Sequence, residues 1–115
     1  MKRGYIESQL LDLGAPAGRS GYIMMATALE FISKNSDVMS AVNNLYPYVA
    51  AKHNTAPPRV ERSIREEINA IWQHGNQNRL DQLFVCREDS PPGSKEFLYT
   101  LAIRLRHESE KLARA

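Results

Sequence analysis

The stretch LYPYVAAKHNTAPPRVERSIREEINAIWQHGN, Leu45 to Asn76, decides how this chain folds. Pro47 sits well in the first turn of a short helix that runs to about His53, because a first-turn amide has no partner to lose. Asn54-Thr55-Ala56-Pro57-Pro58 then reads as a turn. Two adjacent prolines block a helix interior but suit a helix start. From near Pro58 a long helical pattern runs to about His74 and closes at Gly75-Asn76. A connection this short does not let the two helices lie antiparallel at full length. It fits a steep crossing, which is the helix-turn-helix arrangement.

Outward from this pair the chain stays helical. Toward the N-terminus, Tyr5 to Leu13 places Ile6, Leu10 and Leu13 on one face, and Gly14-Ala15-Pro16 ends it. A second helix is expected from Ser20, a good N-cap residue, with Tyr22, Met25, Leu29 and Ile32 inward. Asn35-Ser36-Asp37 breaks it and caps a short helix, about Val38 to Leu45. Toward the C-terminus a short helix covers about Asn78 to Phe84. A polar connection, Arg87 to Gly93 with Pro91-Pro92, leads to a last helix from about Ser94 to His107 or beyond. Phe97, Leu98, Leu101 and Leu105 face inward there, and the final residues are expected to fray. No strand, repeat or low-complexity block stands out. The expectation is an all-α fold of six or seven helices around a central helix-turn-helix, with residues 1–115 forming one domain.

Bulk composition agrees and narrows the function classes. The 115 residues are 43% hydrophobic, enough for one modest core. No apolar run approaches a membrane span, and Met1-Lys2-Arg3-Gly4 lacks the features of a secretory signal, so a cytoplasmic setting is expected. The single cysteine, Cys86, excludes an internal disulfide and a cysteine-rich zinc site. His53, His74 and His107 lie far apart without acidic or cysteine partners at ligand spacing, so no metal or other cofactor is expected. Ser8, Ser20 and Ser40 lack an elbow motif, and there is no Gly-rich phosphate loop, so no catalysis is expected. The net charge of +2 says little; the placement of the basic residues carries the argument.

That placement is specific. At 100° per residue the long helix gathers Val60, Ile64, Ile68, Ile71 and Trp72 on one side. Arg62, Glu66, Asn69 and Gln73 lie opposite. Arg59 and Arg65 flank the polar side, and Glu61 lies nearer the buried one. A recognition helix touches base edges with its N-terminal residues. The guanidinium fork is the side chain best shaped to bond guanine O6 and N7 together, and a glutamate can accept from a cytosine amino group. The helix N-terminus also favours a phosphate. Ion pairs from Glu61 to Arg65 and from Arg62 to Glu66 are the bland reading of the same pattern.

Leu45-Tyr46-Pro47 through Ala50, Asn54-Thr55, Arg59-Val60-Glu61-Arg62 with Ile64-Arg65, and Trp72 with Gly75-Asn76 together resemble the C-terminal effector domain of the stage-zero sporulation protein A family. That family's namesake is the master response regulator of sporulation in endospore-forming bacteria. Gly14, Pro16-Ala17 and Gly21-Tyr22 resemble the domain's start; Ser94, Glu96-Phe97 and Leu105-Arg106 resemble its last helix. The resemblance implies transcriptional regulation through TGTCGAA-like boxes in double-stranded DNA, tandem or homodimeric occupancy, and contact with RNA polymerase, including its sigma subunit. It places base reading on Arg59, Glu61 and Arg62, with Arg59 and Arg62 on guanines and Glu61 on cytosine or orienting an arginine. Arg65 falls on a phosphate. Three departures stand out: Pro57-Pro58 replaces a small residue and a serine, Glu66-Glu67 adds acid behind the arginines, and Cys86 to Gly93 matches poorly. The family's phosphorylated receiver domain has no counterpart in this sequence.

Other residues fall into line behind these. Lys52, His53 and Arg19 are candidates for phosphates flanking the groove. Arg104, Arg106, Lys111 and Arg114 decorate the last helix, toward DNA, a neighbouring protomer or solvent. Met24, Met25 and Met39 read as core filler, Trp72 as a core anchor and Cys86 as a small, partly buried hydrophobe. The rival functional reading is a helical protein-interaction module that binds a regulator or a polymerase subunit; Glu66-Glu67 and the low net charge favour it.

Overall fold

Seven helices follow one another: α1 (Arg3–Asp12), α2 (Ser20–Lys34), α3 (Val38–Asn43), α4 (Leu45–Lys52), α5 (Pro57–His74), α6 (Gln77–Leu83) and α7 (Ser94–Arg114). The structure is a computed structural model and describes residues 1–35 and 37–114, without the side chains of Val38 and Met39. The expectations for Ser36 and Met39 therefore lie outside the described residues. No strand occurs among the described residues, as the patterning predicts.

The core forms around α2. Gly21, Tyr22, Met24, Met25, Ala26, Thr27, Ala28, Leu29 and Ile32 are all buried, so this helix is covered on most of its circumference. It packs against α1, α4, α5 and α7. Gly21 in its first turn lets the backbone of α5 come close at Ser63. Helix α5 is the opposite case, strongly two-faced: Val60, Ile64, Ile68, Ile71 and Trp72 are buried while its other side is wet. At the far end of the core, Trp72, Phe84 and Phe97 meet, with ring centroids 4.8 to 6.1 Å apart.

Helix ends explain the path of the chain. Gly14, at φ +83°, closes α1: its amide bonds Leu11 O and the Ala15 amide bonds Leu10 O. This is a Schellman stop, which needs a left-handed residue and so favours glycine. Gly14 also lies against Gly75, and the Asn76 amide donates to Leu13 O at 2.9 Å. The ends of α1 and α5 are thus joined backbone to backbone. Asn76 then caps α6 by accepting from the Arg79 amide.

Several boundaries differ from the sequence-based expectation. Ser20 is the first helical residue of α2, and the cap is Arg19, which makes no side-chain capping bond. Asn44 is the N-cap position of α4, which starts at Leu45 rather than Pro47, and Pro47 lies in its first turn as expected. Helix α7 stays helical to Arg114 instead of fraying. Cys86 is exposed, not partly buried. It adopts φ +56°, and this left-handed turn sends Arg87 back over Trp72, 5.1 Å from the ring. The Trp72 indole donates to Glu88 O at 2.9 Å, and Arg87 bonds Asp81 at 2.8 Å, so the poorly matching connection is pinned from both sides.

Candidate nucleic-acid interface

The turn between α4 and α5 is built by its own residues. Asn54 takes φ +54°, and the Thr55 amide donates to Ala50 O at 2.9 Å, a Schellman-type closure with asparagine in the left-handed position. Asparagine tolerates that conformation better than other side-chain-bearing residues. Ala56 leads into Pro57 and Pro58 at the first two helical positions of α5. There the missing amides cost nothing, because the first four amides of a helix have no internal partner.

The same prolines limit how the N-terminus of α5, which is expected to favour a phosphate, can do so. Its first two residues have no amide hydrogen to give, and the next two, Arg59 and Val60, both donate to Ala56 O. The side chains, rather than the backbone, are what this end of α5 presents.

Those side chains stand clear of the core. Arg59 and Arg62 are exposed, and neither side chain makes a hydrogen bond or ion pair among the described residues. Both line a shallow cleft whose other walls include Ser20, His53, Asn54 and Ser63. Glu61 is half-buried and holds Arg65 Nη1 with both carboxylate oxygens at 2.8 Å. The expected Glu61–Arg65 pair is therefore formed. The expected Arg62–Glu66 pair is absent among the described ion pairs, which leaves the Arg62 fork unengaged.

The outlying candidates are scattered more widely. Lys52 is exposed beside the Tyr48 ring, 5.6 Å from its centroid. Arg19 is exposed at the start of α2, and its charge acts on Glu67. His53 is half-buried, with Nε2 2.8 Å from the Thr27 hydroxyl. Burial, joined by the Arg3 charge, holds this imidazole below its ordinary range. Both effects favour the uncharged imidazole.

Glu67 was expected to add acid behind the arginines. It is instead fully buried against the first turn of α2, and both carboxylate oxygens lack a hydrogen-bond partner among the described residues. Burial pushes its carboxyl up to about 7, against a smaller downward pull from Arg19. Only Glu66 of the acidic pair reaches the surface.

Sequence reasoning missed three residues that organise the domain. Arg79 is nearly buried and bonds Glu108, Gln9 and Gln82, with Asp12 at 3.5 Å, so it ties α6 to α1 and α7. Its partners lie up to 70 positions away, beyond any local pattern. Arg3 and Thr27 connect the start of α1 to the helix-turn-helix through His53. A threonine inside the otherwise apolar run of α2 was the one available signal.

No helix among the described residues is long and apolar enough to cross a membrane. Among the same residues, no group of three or more His, Cys, Asp or Glu is placed to hold a metal ion. A protein-family model described as the sporulation initiation factor Spo0A C terminal matches residues 6–105. That span takes in all of α2 through α6 and most of α1 and α7. The chain belongs to the Spo0A C-terminal family, the DNA-binding effector domains of the sporulation initiation regulator, which is not an enzyme family.

Proposed function

We propose that this chain is a cytoplasmic, sequence-specific transcriptional regulator domain that reads TGTCGAA-like boxes in double-stranded DNA. Residues 1–115 act as one effector unit, and the exposed edge of α5 enters the major groove. The observation that carries this reading is the pair Arg59 and Arg62: adjacent, exposed and unengaged at the start of a helix whose other face is anchored in the core. Each is free to bond a guanine with both arms of its fork. Glu61 acts by orienting Arg65, since both its oxygens already hold that guanidinium. Arg65, Lys52, His53 and Arg19 serve the phosphates on either side. Tandem or homodimeric occupancy and a contact with the RNA polymerase sigma subunit follow from the family resemblance.

The rival reading, a protein-interaction module, drew on Glu66-Glu67. With Glu67 buried, that pair does not project an acidic patch, which leaves the low net charge of +2 as the observation behind this reading.

Arg62→Ala is expected to cost about 1–3 kcal/mol of specific binding and to relax base choice at one position. Mobility-shift titration against a TGTCGAA box and its single-base variants measures both; unchanged affinity and selectivity would remove Arg62 from the reading set. Arg65→Ala should weaken all duplexes alike and reduce the slope of log affinity against log salt by about one. A selective loss at one base would instead make Arg65 a reader. Selection of bound duplexes from a random pool tests the whole proposal, and recovery of no enriched sequence counts against it.

A further inference from the structure

Thr27 and Glu67 are the buried polar or charged side chains among the described residues. Unlike Glu67, Thr27 is satisfied, and the way it is satisfied has a consequence at the interface. A threonine hydroxyl has one hydrogen to give and two lone pairs to offer. Arg3 Nη1 lies 3.1 Å from it and His53 Nε2 lies 2.8 Å from it. Arginine only donates, so it occupies a lone pair. If the imidazole donated Nε2–H to the second lone pair, the buried hydroxyl hydrogen would have no acceptor among the described contacts; if Nε2 accepts, every group is satisfied. A neutral imidazole that accepts at Nε2 carries its own hydrogen on Nδ1. The imidazolium is disfavoured by burial and by the facing Arg3 charge, and it would offer no lone pair to Thr27.

The chain of contacts continues outward. Arg3 is held by Glu7 at 3.2 Å, Glu30 at 3.6 Å and the Ile23 carbonyl at 3.3 Å. At the other end, His53 is the residue that ends α4, directly before the left-handed Asn54, and it lines the cleft shared with Arg59 and Arg62. Its Nδ1 has no partner among the described hydrogen bonds.

We propose that Arg3 and Thr27 are positioning residues that lock His53 as the neutral Nδ1–H tautomer, so that it donates an uncharged hydrogen bond to a backbone phosphate of bound duplex. The proposal rests on the DNA-binding reading above. It makes His53 unlike the arginines and Lys52: it fixes register on the backbone without releasing a counterion, so it contributes affinity that salt does not screen.

The test has two arms on the full chain. Long-range proton–nitrogen NMR at about pH 7.5 is expected to show the Nδ1–H pattern for His53. Thr27→Val should give a tautomer mixture, while Thr27→Ser, which keeps the hydroxyl, should restore the single form. An Nε2–H or imidazolium pattern in the unaltered chain overturns the proposal. In the second arm, His53→Phe is expected to lower affinity for a pool-selected duplex about tenfold with the salt slope unchanged. Thr27→Val should lose part of that, and Thr27→Ser almost none. A slope reduced by about one for His53→Phe would mark a cationic contact and overturn the assignment. If His53→Phe binds normally while Arg62→Ala does not, this proposal falls and the DNA-binding reading stands. If the unaltered chain selects no duplex, the DNA-binding reading fails and takes the phosphate contact with it.

Discussion

Gly21→Ala is expected to destabilise the fold by about 3 kcal/mol, at the upper end of overpacking costs. A methyl group placed on Gly21 would collide with the Ser63 carbonyl oxygen, the nearer contact, and sit 2.9 Å from Glu67 Cβ. The nearer of these is backbone inside α5, which cannot swing aside as a side-chain tip would. Either α5 moves off the first turn of α2 or the new methyl stays in steric conflict. The usual gain from replacing glycine with alanine in a helix, about 1 kcal/mol, is too small to compensate. Because Arg59 and Arg62 ride on α5, DNA affinity should fall together with stability. Gly4→Ala is the matched control: Gly4 lies in α1 with nothing within 4 Å of the added carbon, so it should stabilise slightly. Denaturant unfolding of the two variants beside the unaltered chain decides the matter. Equal midpoints for Gly21→Ala and the unaltered chain would show that α2 and α5 are not held as closely as described.

Glu67→Met is expected to stabilise the protein by about 3 kcal/mol at pH 8. In the folded state burial raises this carboxyl from 4.5 to about 7, so its charged form is penalised by folding. The sign follows from linkage. The group's full stability is present below the unfolded value near 4.5, is lost as pH rises toward 7, and stays lost above it. A shift of this size corresponds to about 3 kcal/mol between the two ends of that window. Methionine keeps the length and the helix preference while removing the charge and both unpartnered oxygens. Other groups titrate nearby. His53, held low by burial and Arg3, loses stability as pH falls through its own range, and Glu108, held low by its hydrogen bond to Arg79, does so at more acid pH. The difference between variant and unaltered chain cancels both and isolates Glu67. That difference should be smallest near pH 4.5, where only the cost of the unpartnered neutral carboxyl remains, and should grow by about 3 kcal/mol by pH 8. Glu67→Gln should recover only part of it, since the buried amide still lacks partners. A difference that stays flat with pH would mean that Glu67 is solvated or paired in solution.

Both predictions concern one contact, the seat of α5 on the first turn of α2, and sequence alone pointed to neither partner. Gly21 reads as part of a family motif, and Glu67 as half of a surface acidic pair. Helical periodicity assigns Glu67 ambiguously, because it neighbours both Ile68 on the buried side and Glu66 on the wet one. The outcome depended on how wide a stripe of α5 the rest of the molecule covers. The close approach of α2 at Gly21 widens that stripe by one residue and takes Glu67 with it.

What the amino-acid order determined by itself was local. Periodicity alone sorted Arg59 and Arg62 from Val60 and Ile64, because neighbours on one helix are separated by fixed angles whatever else the chain does. Gly14, Asn54 and the two prolines marked where helices stop and start, since backbone conformations are restricted residue by residue. Only the tertiary structure decided which groups meet across the chain: Arg79 with Glu108 and Gln9, Thr27 with His53 and Arg3, and Glu67 with Gly21 but with no hydrogen-bond partner among the described residues. Those pairings depend on how separate helices pack. Packing is settled by the shape of the whole core, a property that no single segment carries.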